Sequence, residues 1–162
     1  MPAEPGLLTR PANSRTGISL VKHSRPGSSL YDIEGHDLPH PKRMSMLDIT
    51  LRRHRRTPIE QLGTEALRFL LEEEQAADVL LRVAIDRLEL DPFLGGDYHP
   101  GDLLVAVLTR PVAIFLEHHE LRSRAFLVAQ DAAELLEFLE PADQAIVGEA
   151  IRGFMQAVGG RE

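Results

Sequence analysis

The sequence contains no cysteine and no tryptophan. The first absence excludes disulfides, thiolate metal sites and a cysteine nucleophile. Aromatic residues make up only 5% of the chain. A core therefore has to be built from Leu, Ile, Val and Ala, which favours packing helix on helix. No apolar run approaches the roughly 20 residues that cross a bilayer. The opening Met1-Pro2-Ala3-Glu4-Pro5-Gly6 lacks both the basic and the apolar region of a secretory signal, which predicts a cytoplasmic protein. Gly-x-Ser-x-Gly and His-Glu-x-x-His are also missing, and no Lys-Ser/Thr follows Gly95-Gly96 to make a phosphate loop. Of seven scattered histidines only His118 and His119 are adjacent. Helical neighbours point about 100° apart, which is not the i, i+4 arrangement that chelates zinc. The expectation is a protein with no cofactor, no resident metal and no catalytic residues.

What remains is 162 residues, 43% apolar and 27% charged, enough for one domain and a tail. Charge is divided unevenly along the chain. Residues 1–56 carry ten Lys and Arg against five Asp and Glu, and residues 57–162 carry eight against twenty. An acidic body argues against nucleic acid as a direct ligand, because phosphate demands the opposite sign. It suits a basic partner.

Residues 1–29 hold Pro2, Pro5, Pro11 and Pro26 among Gly, Ser, Asn and Arg, and read as a flexible or extended N-terminal segment. Within it Gly17–Val21 is an adhering or strand-like stretch. The domain proper is expected over 30–162. Leu30, Tyr31 and Ile33 are expected to lay an irregular segment on the body. A helix from Met46 to Arg55 should turn Met46, Ile49 and Leu51 inward, followed by the basic cluster Arg52-Arg53-His54-Arg55-Arg56. Thr57-Pro58-Ile59-Glu60 matches a capping box. From Thr64, Leu67, Leu70 and Leu71 mark one helical face, which continued straight would bury Glu74 and Asp78. The apolar pattern resumes in a new phase at Leu80, Leu81, Ala84, Ile85 and Leu88, so two helices meeting near Glu74–Ala77 are predicted.

Asp91-Pro92-Phe93-Leu94-Gly95-Gly96-Asp97-Tyr98-His99-Pro100-Gly101-Asp102 is the densest turn chemistry in the chain. Gly96, Asp97, Tyr98, Pro100, Gly101 and Asp102 are read as its structural motif. Asp102 is placed to cap or face the next helix, and the Tyr98 ring to pack over the turn. A short helix through Leu103, Leu104 and Val107 follows. Pro111 is expected to open another that buries Ile114 and Phe115. His118–Leu139 forms a long helix, and Pro141 starts the last, with Ala142, Ile146, Ala150, Phe154 and Val158 as its inner face. With no alternating strand pattern, the body is an irregular all-α multi-helix bundle.

Two acidic surfaces stand out. Glu72, Glu73 and Glu74 with Asp78 form a dense ridge at a helix junction, and Glu117, Glu120, Glu134, Glu137 and Glu140 a more diffuse set. Two other readings stay open. One is a small metal-dependent enzyme using Asp97, His99 and Asp102. The other is a nucleic-acid-associated regulator using Arg52–Arg56, although such clusters more often cap a helix or pair with carboxylates.

Several of these residues carry a family resemblance. Leu30, Glu34-Gly35 with Asp37 and Pro39, Glu65-x-Leu67-Arg68-x-Leu70 and Leu88-Glu89-x-Asp91-Pro92 contribute, and Gly96-Asp97-Tyr98-x-Pro100-Gly101-Asp102-Leu103-Leu104 is the strongest element. Together they resemble immunity proteins of bacterial contact-dependent growth inhibition systems, ungapped from Leu62 through Leu108. The resemblance implies a non-enzymatic cytosolic inhibitor whose partner is the C-terminal domain of a cognate toxin. Where that family tends to have Gly-Gln, this chain has Glu72-Glu73. The ridge of Glu72, Glu73, Glu74 and Asp78 is accordingly the candidate toxin-binding surface.

Overall fold

A computed structural model describes residues 25–160 of the chain, so the expectations for Gly17–Val21 and for residues 1–24 lie outside the described residues. Among the described residues the architecture is all-α, with no named strand. The helices are α1 (Leu30–Glu34), α2 (Met46–Arg56), α3 (Thr64–Glu72), α4 (Ala77–Leu90), α5 (Asp102–Leu108), α6 (Val112–Glu117), α7 (His119–Leu135) and α8 (Pro141–Gly159). Single 3-10 turns stand at Ile59–Gln61 and Leu136–Phe138. No helix among the described residues is long and apolar enough to cross a membrane.

The seven-residue α5 is the axis of the fold. Apart from Val105, every residue in it is buried: Asp102, Leu103, Leu104, Ala106, Val107 and Leu108. A helix apolar on all sides has to be surrounded, and α3, α4 and α8 pack around this one. Helix α7 packs on α4 and α8, closing the bundle. Leu103 and Leu104 are fully buried, each contributing about 1.5–3 kcal/mol. Phe115 of α6 meets Phe154 of α8 edge to face at 5.0 Å.

The predicted break between α3 and α4 is present. Gln75 N donates to Leu70 O and Glu74 N to Leu71 O, the paired bonds of a Schellman ending. Glu74, with φ 56°, takes the left-handed position that glycine usually fills, and Ala76 follows at φ 35°. The predicted inner face of α4 is fully buried.

Other expectations change. Leu30–Glu34 is a short helix rather than an irregular segment, and only Leu30 of its apolar residues is fully buried. Ser29 and Asp32 form its capping box, and Ser45 with Asp48 forms that of α2. Thr57 caps no new helix: it ends α2, and its hydroxyl donates to Arg53 O at 2.9 Å. Met46 and Ile49 face solvent, and the buried residue of α2 is Arg55. Pro111 lies one residue before α6, and α7 ends at Leu135 rather than Leu139. In α8 the buried stripe is Val147, Gly148, Ile151, Phe154 and Val158. Ile146 and Ala142 are exposed, and Gly148 on the buried side meets Leu136, where a Cβ would stand 3.2 Å away.

Candidate functional site

The central turn and the acidic ridge, far apart in the reading of the sequence, meet at one residue. Arg68 lies on α3 four residues before Glu72 and three after Glu65, spacings that put all three side chains on one helical face. Its guanidinium donates to Glu65 through Nε at 2.9 Å and through a second, short bond. It also pairs with Glu72 at 2.5 Å and stands 3.9 Å from Asp102. The side chain is only 8% exposed. The carboxylates of Glu65, most strongly, and Glu72 favour the protonated guanidinium and keep Arg68 charged. Reciprocally, the Arg68 hydrogen bond holds the Glu65 carboxyl below its ordinary value.

Asp102 does not cap its own helix. Its buried carboxylate accepts Gly96 N at 2.6 Å and Tyr98 N at 3.2 Å, folding the turn back onto α5. Glu65 accepts Asp97 N at 3.1 Å, which pins the same turn to α3. A side chain at Gly96 would strike the Glu65 and Asp102 carboxylates, and Gly101 holds φ +81° against Val147. Both positions therefore require glycine. The Tyr98 ring is not packed over the turn as expected. It is 73% exposed and rests on the Arg68 guanidinium, whose carbon lies 4.4 Å from the ring centre.

The ridge residues differ in setting. Glu72 is half exposed on Arg68. Glu73 ends α3, Glu74 is exposed in the linker, and Asp78 is half-buried in the first turn of α4. Among the described residues, Glu73, Glu74 and Asp78 make no ion pair. Carboxylates at the C-terminal end of a helix oppose its dipole; of these only Glu72 is ion-paired, while Arg110 donates to Leu71 O at the same helix end. Of the diffuse acidic set, Glu120 pairs with Arg82 at 3.2 Å.

His99 Nδ1 lies 2.9 Å from Pro100 O, and Asp102 is committed to turn amides and to Arg68. Among the described residues no three His, Asp or Glu side chains group to hold a metal ion. Three arginines of the basic cluster hold the N-terminal segment, while Arg53 is exposed. Arg52 reaches Asp37, Leu38 O and Pro39 O. Arg55 binds Glu34 and, at 2.8 Å, Gln75. Arg56 pairs with Asp37 at 2.7 Å and covers the Tyr31 ring.

The sequence analysis missed Arg68 as the hub. The signal available was Glu65-x-x-Arg68-x-x-x-Glu72, a cation between two carboxylates at helical spacing. Its link to Asp102 had no local signal.

A family model described as CDI immunity proteins matches residues 32–125, a span that includes the Arg68 hub, the ridge and the turn. No curated protein and no solved structure matches the chain.

Proposed function

The chain belongs to the family of CDI immunity proteins, and from that premise we propose that it neutralises the C-terminal toxin domain of a cognate contact-dependent growth inhibition effector. It does so by binding in the cytoplasm and without catalysis, through the domain of residues 30–162. The observation that supports this most is the charge excess around Arg68, where one guanidinium faces Glu65, Glu72 and Asp102. Glu73, Glu74, Asp78 and Asp97 add to the excess. A surface of this sign fits a basic partner, as a nuclease-like toxin would be, and raises the rate of encounter by steering. A tight inhibitor covers roughly 800 Å² on each side and relies on a few central residues. Glu72, paired with Arg68, joins the ridge to the turn and would bring both to that purpose.

Reversing Glu72, Glu73 and Glu74 to Lys tests the reading. Far-UV circular dichroism should be unchanged, because Glu74 is exposed and Glu72 half exposed. Affinity for the toxin domain should fall by about tenfold or more, mainly through a slower association rate. Unchanged affinity would remove the ridge from the interface.

A further inference from the structure

We infer that the solvent-facing side of Tyr98 is the anchor of the toxin interface and takes a cationic side chain of the toxin domain, a guanidinium in preference to an ammonium. The inference rests on the chain binding such a domain. Large exposed apolar groups are common on protein surfaces, and Leu90 and Phe138 are examples here at 90% and 76% exposure. Tyr98 differs because it is held. Its N–H is bound by buried Asp102, the N–H of its neighbour Asp97 by Glu65, and one ring face lies on Arg68. A ring fixed before binding loses little further freedom on association. Arg68 lies against one face of the ring, and the residue as a whole is 73% exposed.

The surroundings select the occupant. The guanidinium under the ring is itself held by Glu65 and Glu72, both part-exposed, and by buried Asp102 behind them. An anion would be repelled. A purely apolar group would have to strip water from half-exposed carboxylates and return nothing. A cation gains from both the electron-rich ring face and the carboxylate rim. A guanidinium gains more, because it stacks flat and its edge N–H groups reach carboxylates at the same time. The arrangement has the form of an interface hot spot, an aromatic centre inside a ring of polar groups. The three carboxylates on Arg68 offset the repulsion between the two cations that would sandwich the ring.

The test measures binding of the full chain to the C-terminal toxin domain of its cognate effector, using wild type, Tyr98→Phe and Tyr98→Leu. Phe keeps the ring face and Leu keeps only apolar bulk. Tyr98→Phe should bind within about threefold of wild type, and Tyr98→Leu should weaken binding by about tenfold or more through faster dissociation. Both variants should keep the wild-type circular dichroism and urea midpoint. Wild-type affinity in Tyr98→Leu, with the Lys-reversed ridge still weakened, would overturn the anchor and leave toxin binding standing. Equal losses in Phe and Leu would assign the effect to the hydroxyl and overturn the cation site. Absence of binding by wild type would overturn both readings.

Discussion

Arg55 and Arg68 are both almost completely buried guanidiniums, yet their surroundings are opposite in kind. Arg55, on α2, meets one carboxylate, Glu34, and one neutral amide oxygen, that of Gln75. The charges match one for one, and the result is a staple between the N-terminal helices and the α3–α4 linker. Arg68, on α3, meets Glu65, Glu72 and Asp102 and leaves their negative charge in excess. Burial of an arginine therefore does not by itself mark a working surface. The two sites differ in the ratio of charges around the guanidinium, and under the proposed function only the unbalanced cluster would present a field to a partner.

The comparison breaks most readily by removing each cation. Arg68→Ala leaves Asp102, 4% exposed, facing Glu65 and Glu72 with no cation, and should lower urea-unfolding stability by about 3–5 kcal/mol. Arg55→Ala should cost less, about 2–3 kcal/mol, because the Glu34 side chain is 25% exposed and can take up water. A larger loss from Arg55 would invert the ranking.

Acid sharpens the same contrast. Arg68 depresses the Glu65 carboxyl in the folded protein below its ordinary 4.5. Stability from this pairing is thus fully present above pH 4.5 and is lost as pH falls through the lower folded value. Unfolding followed from pH 7 downward should show this decline in wild type, and Arg68→Met should flatten that component. An unaltered acid limb in Arg68→Met would detach Glu65 from the hub.

The smallest effect concerns the linker that Arg55 braces. Glu74 occupies a left-handed position at φ 56°, so Glu74→Gly should stabilise the fold by about 0.5–1 kcal/mol while removing one charge from the ridge. A gain in urea midpoint together with weaker toxin binding is the expected pair of results. Loss of stability would show that Glu74 makes a favourable contribution that outweighs its backbone conformation.

Much of the fold was legible because local pattern and burial agree. Leu80, Leu81, Ala84, Ile85 and Leu88 repeat at helical spacing and are all buried. The break before α4 followed from the carboxylates that a straight helix would have buried. Legibility ended where two apolar stripes competed or where distant partners decided. In α8, Ile146 and Val147 are adjacent and both apolar, and Val147 is the one buried, on the same side as Gly148, which meets Leu136 from another element. In α2, Met46 and Ile49 look like core residues, but Arg55 is buried because Glu34 and Gln75, 21 and 20 residues away, satisfy it. The candidate site behaves similarly. Its acidic ridge was readable from composition, and its glycine-rich turn from motif. Their union through Arg68 and Tyr98 depends on α3 packing against α5, which no local spacing reveals.

The most direct test titrates the full chain into the cognate toxin domain while toxin activity is followed at low and at moderate salt. The account predicts one-to-one binding, complete loss of toxin activity at equivalence, and an affinity that falls as salt rises. Persistent toxin activity at saturating immunity protein, or binding indifferent to salt, would contradict it.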